Sequence, residues 1–141
     1  MTKFIKFFLD GRPFGMEAGY VQEILLAEET RVFKVPNSPD FLLGVINLRG
    51  ELTPVVDLRV RLGLAAGRIS GKSRIVIFKN GKTLLVGALV DELAGLALAE
   101  NQTGLQTAPG PAAAEITRAI FKGPEGPMEI IVFCGALFGG E

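Results

Sequence analysis

A chain of 141 residues, 48% of them hydrophobic and 21% charged, is long enough for one globular domain whose core needs neither disulfide nor metal. Lys plus Arg and Asp plus Glu both total 15, so no net charge draws it to nucleic acid or an anionic membrane. Histidine is absent, which excludes Ser-His-Asp and Cys-His nucleophile arrangements and deprives a zinc site of a usual ligand, while the single Cys134 sits in an apolar run and reads as a buried thiol.

In chain order, the apolar stretch 3–9 is interrupted by Lys6 and lacks a small-residue cleavage site, so it reads as a strand and not a signal peptide. Asp10-Gly11 ends it. The segment 19–27 places Val21, Ile24 and Leu25 on one side and predicts a two-turn helix. A strand is expected at 31–35, then the Pro36-Asn-Ser-Pro39 turn and one helical turn over 39–43. Strands at 44–48 and 52–58 flank Arg49-Gly50-Glu51 as a hairpin. Pro54 has no N–H, which puts the second strand at a sheet edge or leaves it locally unpaired. Strands at 74–79 and 82–90 flank Asn80-Gly81, a pair suited to a type I′ turn. The run Ala108-Pro-Gly-Pro-Ala-Ala-Ala114 predicts a loop, and Lys122-Gly-Pro-Glu-Gly-Pro127 a turn before a last strand at 128–133. Many short strands with frequent turns predict a mainly β domain over 1–141, with flexible loops near 64–73 and 106–115. The longest apolar runs, 84–90, 93–99 and 130–140, fall short of the roughly 20 residues of a membrane-spanning helix, and a cytoplasmic chain is expected.

The stretch Ala66-Gly-Arg-Ile-Ser-Gly-Lys-Ser73 has the look of a phosphate loop. Such a loop works by opening a helix whose N–H groups face the phosphate. Here the β-branched run Arg74-Ile-Val-Ile-Phe-Lys79 follows, so a nucleotide-binding protein using 66–73 stands as the weaker alternative. Acidic residues sit mainly at turns and segment ends, where they are solvated or cap the chain. No catalytic residue, cofactor or metal is expected.

The segment Gly44-Val-Ile-Asn-Leu-Arg-Gly-Glu-Leu-Thr-Pro-Val-Val-Asp-Leu-Arg59 closely resembles the signature of the CheW family of bacterial chemotaxis adaptors. The resemblance continues in Val21-Gln-Glu-Ile24, in Val35-Pro-Asn-Ser-Pro-Asp-Phe-Leu-Leu-Gly44, and in Val86-Gly-Ala-Leu-Val-Asp91, in the family's order and spacing. It departs at the C-terminal end, where Cys134 and Gly135 stand in the family's aspartate region, and at Ala119-Ile120, where a glycine is usual. The resemblance implies two small five-stranded, SH3-like β-barrel subdomains packed around a shared core, with few short helices. It also implies a non-enzymatic scaffold that couples the cytoplasmic tip of chemoreceptors to the regulatory domain of a CheA-type histidine kinase, recruited to membrane receptor arrays without inserting in the bilayer. A divergent adaptor of a surface-motility pathway is the variant of that reading.

Candidate partner-binding residues follow from the same match. Arg49, beside a turn, is either solvated or offers its planar fork to a partner, and the resemblance favours the partner. Asn47 is a turn stabiliser or a contact. Val21 and Ile75 are core residues or, by resemblance, line a receptor groove; Glu23 is a rim charge there or faces water. Gly44 and Gly87 permit close backbone approach. Asp57 is expected to tie its strand end to a neighbouring loop.

Overall fold

The computed structural model describes residues 2–80, 84–99, 105–107, 117–123 and 126–131. The expected loop at 108–114, Gly81 of the Asn-Gly turn, and Cys134 lie outside these residues. Among the described residues no helix is long and apolar enough to cross a membrane.

β1 (Thr2–Leu9) and β2 (Arg12–Glu17) form a hairpin whose two-residue turn takes positive φ at Asp10 (51°) and Gly11 (75°), the conformation a tight hairpin demands. β4 (Leu42–Leu48) and β5 (Glu51–Asp57) form a second hairpin around Arg49-Gly50. β6 (Arg74–Asn80) and β7 (Leu84–Val90) pair antiparallel out to Asn80 and Leu84. With β3 (Val21–Leu26), β8 (Glu92–Ala99), β9 (Leu105–Thr107), β10 (Thr117–Gly123) and β11 (Gly126–Ile131), the strands make two sheets. One is six-stranded in the order β8-β1-β2-β11-β10-β9, the other five-stranded in the order β3-β6-β7-β5-β4. The mainly β expectation therefore holds.

Four local expectations change, the first being Asn80, which ends β6 opposite Leu84 instead of sitting in the turn. The helix over 19–27 is instead a 3₁₀ turn (Ala18–Tyr20), β3, and a second 3₁₀ turn (Ala27–Glu29). Over so short a run the apolar positions satisfy either period, and a two-turn helix is marginal alone, whereas β3 gains a ladder to β6 from Val21 opposite Phe78 to Leu26 opposite Arg74. Residues 39–43 form a turn, closed by Leu42 N–H donating to the Pro39 carbonyl at 3.1 Å, and lead directly into β4. The strand at 31–35 reduces to one bridge, Phe33 opposite Val45. Beyond β5 lies a helical turn, α1 (Leu58–Arg61), capped by Asp57, whose Oδ1 accepts from Arg59 N–H at 3.0 Å. Pro54 sits on an interior strand and lies opposite Val45 in the β4–β5 ladder, but pairing of β5 with β7 begins only at Val55 opposite Gly87, so Pro54 has no partner on the β7 side.

β6 is buried on both faces from Ile75 to Phe78, which accounts for its unbroken apolar run. Val76 and Phe78 point to one side, with Val56, Val86, Ala88 and Val90, and meet Phe7, Leu9, Phe14 and Met16 of the first sheet. Ile75 and Ile77 point to the other, into a second cluster with Val55, Leu89, and Ile46 and Leu48 of β4. Leu25 of β3 packs against that cluster too, so both edge strands of the sheet turn toward the same apolar interior. Phe7 and Phe14 stack with centroids 6.3 Å apart and planes 12° apart. Each such buried side chain contributes about 1.5–3 kcal/mol, so the shared cluster outweighs any single polar contact.

Gly44 bears directly on this packing. Its φ is +154°, and a Cβ there would lie 2.4 Å from the Phe33 carbonyl oxygen and 2.7 Å from Val32 Cγ1. Gly44→Ala is expected to destabilise the protein by at least about 2 kcal/mol in a urea titration, through strain and overpacking. Gly67→Ala, where a Cβ meets nothing within 4 Å, is expected to stay within about 0.5 kcal/mol of the parent.

Candidate functional site

The β4–β5 turn sets the site. Leu48 pairs with Glu51, leaving Arg49 (φ 51°) and Gly50 (φ 91°) as the two turn residues, both in the left-handed region. Glycine adopts that conformation freely and arginine does not, so the turn needs support. Asn47 supplies it: its Oδ1 accepts from Gly50 N–H at 2.8 Å. The stabilising role expected of Asn47 is thus present in the geometry.

Held this way, Arg49 reaches Glu23 on β3. Nη1 donates to Oε2 at 3.0 Å and Nη2 to Oε1 at 2.5 Å, a two-pronged fork on a carboxylate. β3 and β4 are the opposite edges of the second sheet, so the pair joins the ends of a sheet whose edge strands share one apolar interior. The Arg49 side chain is 64% exposed and that of Glu23 27%, so solvent or a partner meets mainly the guanidinium. The hydrogen bond from Arg49 holds the Glu23 carboxyl below its ordinary range, opposed by slight desolvation; the same bond raises Arg49.

The seven candidate positions do not form one surface. Glu23 and Arg49 touch, Asn47 lies in the same turn, and Val21 is two residues from Glu23, half-buried against the shared core. Ile75 is 1% exposed, within the second cluster. Gly87 is buried above it, where a Cβ would lie 2.9 Å from Ile75 Cγ2 and 3.2 Å from Val55 Cγ2. Gly44 is buried against Phe33. These three shape the sheet from within, and only Arg49, Glu23, Asn47 and Val21 offer surface.

Arg59 carried no role in the sequence reading. The structure buries it to 3% exposure between Asp57 and Asp91, with charged hydrogen bonds to both. Its signal was the Asp57-Leu-Arg59 spacing, but the second carboxylate is 32 residues away in the chain.

The loop 66–73 is not a phosphate cradle. Ser70 N–H donates to Ser73 Oγ at 2.9 Å and Lys72 N–H to Ser70 Oγ at 3.2 Å, so these amides are engaged by serines. A strand, β6, follows instead of a helix, so no helix N-terminus faces the loop.

The family model described as CheW-like domain matches residues 3–138. Chemotaxis protein CheW of Bacillus subtilis is 34% identical over 107 residues, covering 76% of this chain and 66% of that protein. Chemotaxis protein CheW of Klebsiella aerogenes is 34% identical over 109 residues, covering 77% and 62%. The solved scaffolding protein TtCheW from Thermoanaerobacter tengcongensis superposes with a TM-score of 0.87 at 26% identity, over 99% of this chain and 94% of that one. The chain thus spans just under two thirds of the length of these two sequence relatives.

Arg49 hydrogen-bonds only the ionised Glu23, so the folded carboxyl titrates below its unfolded value. The pair's contribution is therefore complete above the ordinary carboxylate range and is lost as pH falls through the lowered value. Carbon-detected NMR of the Glu23 carboxyl is expected to show that depression, and Arg49→Gln to return it toward the ordinary value. A titration unmoved by Arg49→Gln would refute the pairing.

Proposed function

The chain belongs to the CheW-like domain family, and from that membership we propose that it is a non-enzymatic adaptor of chemotaxis-type signal transduction. It couples the cytoplasmic tip of a chemoreceptor to a CheA-type histidine kinase by pairing with that kinase's regulatory domain. In this reading residues 1–141 form a single domain, work in the cytoplasm at membrane receptor arrays, and need no cofactor.

The observation that carries the reading is the Arg49–Glu23 pair, set out on a turn of the family's signature segment. An adaptor has to present recognition groups without rearranging to do so, because ordering side chains on binding weakens association. Arg49 is held ready by the αL turn, by Asn47 and by Glu23. Its donors not engaged by Glu23 suit a partner's carbonyl or carboxylate oxygens, while half-buried Val21, opposite Phe78 and past the β3 irregularity, offers apolar contact on the other face of the strand from Glu23. Ile75, Gly87 and Gly44 keep the sheet beneath this surface close-packed. A helical hairpin tip with an apolar stripe and exposed oxygens is the chemistry this surface receives.

Arg49→Glu sets two carboxylates against each other, yet leaves the Asn47–Gly50 bond and the apolar clusters intact. Calorimetric titration with a chemoreceptor tip fragment and with the kinase's regulatory domain is expected to show a loss of roughly tenfold or more in affinity for at least one of them. The melting transition should stay close to the parent's, and Lys72→Glu should bind as the parent does. The swap Glu23→Arg with Arg49→Glu rebuilds the internal pair but inverts what a partner meets, and it is expected to stay defective. Binding restored by the swap would make the pair a strut and not a contact; full binding by Arg49→Glu would remove it from the interface altogether.

A further inference from the structure

The two sheets share an apolar cluster, and apolar contact has no direction of its own. Something else must fix how one sheet is turned on the other. The chain passes from the second sheet to the first through a single residue, Asp91, between β7 and β8. At that crossing lies the most enclosed charged group among the described residues. Arg59 places Nε and Nη2 on the two oxygens of Asp57, at 3.0 and 2.9 Å, and Nη1 on Asp91 Oδ1 at 2.7 Å and on the Gly67 carbonyl at 3.0 Å. Asp91 Oδ2 in turn accepts from Asp10 N–H at 2.7 Å, and Asp91 N–H donates to the Phe8 carbonyl at 3.1 Å. Asp57 ends β5 in the second sheet, while Asp10 and Phe8 belong to the β1–β2 hairpin in the first.

We infer that the Asp57–Arg59–Asp91–Asp10 chain of hydrogen bonds is an orientation latch that fixes the rotation of one sheet on the other at their single-residue crossing. The fork geometry of Arg59 makes this possible, because each donor serves one acceptor at a fixed angle. Lysine, a point charge on a flexible stem, keeps the attraction and loses the angles. Buried ionic groups add little net stability over an apolar filling but do specify one arrangement among several, which is the role assigned here. The latch also gives Asp57 a second task beyond capping α1, and it gives the Asp-Leu-Arg and Val-Asp ends of two signature segments a common purpose.

The consequence for function rests on the adaptor reading. A bridge that holds two partners at once depends on the angle between its surfaces, and simultaneous engagement is lost when the geometry fails even if each separate contact survives. Releasing the latch is therefore expected to leave each binary affinity near the parent's and to reduce ternary assembly.

The structural test needs no partner. Residual dipolar couplings of the backbone amides of both sheets are measured on the full chain as parent, Asp91→Asn and Arg59→Lys. In the parent one alignment tensor is expected to fit both sheets; in each variant every sheet is expected to keep its own amide shifts while the two require separate tensors. A single tensor fitting both sheets of the variants would overturn the latch. Loss of all dispersed amide signals in both variants would overturn it too, since the network would then be a general requirement for folding. Failure of the partners to bind the parent protein would strike the adaptor reading and leave the tensor result standing.

Discussion

The apolar cluster between the two sheets is the contact on which the other features depend. Phe7, Leu9, Phe14 and Met16 come from the β1–β2 hairpin, and Val76, Phe78, Val86, Ala88 and Val90 from two strands of the other sheet. Truncating any of the larger ones, such as Phe7, Phe14, Met16 or Phe78, would leave a cavity that the surrounding packing closes only in part. β6 is covered on its other face as well and has no solvent face from Ile75 to Phe78. That double burial explains why few polar groups reach the interior, and why those that do are strongly hydrogen-bonded. Arg59 is raised above its ordinary value chiefly by its hydrogen bonds to Asp57, against the cost of burial.

Two charged arrangements then do different work on this frame. Arg59 is enclosed and directed at neighbouring backbone and carboxylates, so its energy is spent within the fold. Arg49 is exposed and its pair with Glu23 is screened by water and salt, so it contributes little to stability and remains available to a partner. The contrast in burial, with an arginine forked onto carboxylate in both, separates an arginine held within the fold from one proposed to meet a partner. Both lie in one segment of sixteen residues, Gly44 to Arg59, whose hairpin carries one to the turn and the other to the crossing.

Much of the fold was legible because its turns are encoded locally. Asp10-Gly11 and Arg49-Gly50 each mark a hairpin turn that the structure contains, whereas Asn80, expected in a two-residue turn, ends β6 opposite Leu84. Val21–Leu26 misled because Val21, Ile24 and Leu25 also fit a helical period, and only β6, some fifty residues on, decides the matter. Arg49 was legible as a contact candidate from the family signature, and its link to Glu23 was not, since the two are 26 residues apart and belong to opposite sheet edges. Ile75 and Gly87 carried the family's pattern, but a motif does not say which side of a sheet a residue faces when both sides are apolar. Arg59 escaped for a similar reason: a charged residue in a sequence reads as surface until its distant partners, Asp91 and through it Asp10, are placed around it.

Co-sedimentation asks whether the proposed bridge holds both partners at once. A CheA-type kinase and a chemoreceptor fragment assembled into vesicles or nanodiscs are spun with and without this protein. The kinase is expected to sediment with the receptor only when the protein is present, in a single complex holding all three. Kinase recovery that is the same with and without it, or a protein that binds one partner only by displacing the other, would rule out a bridge.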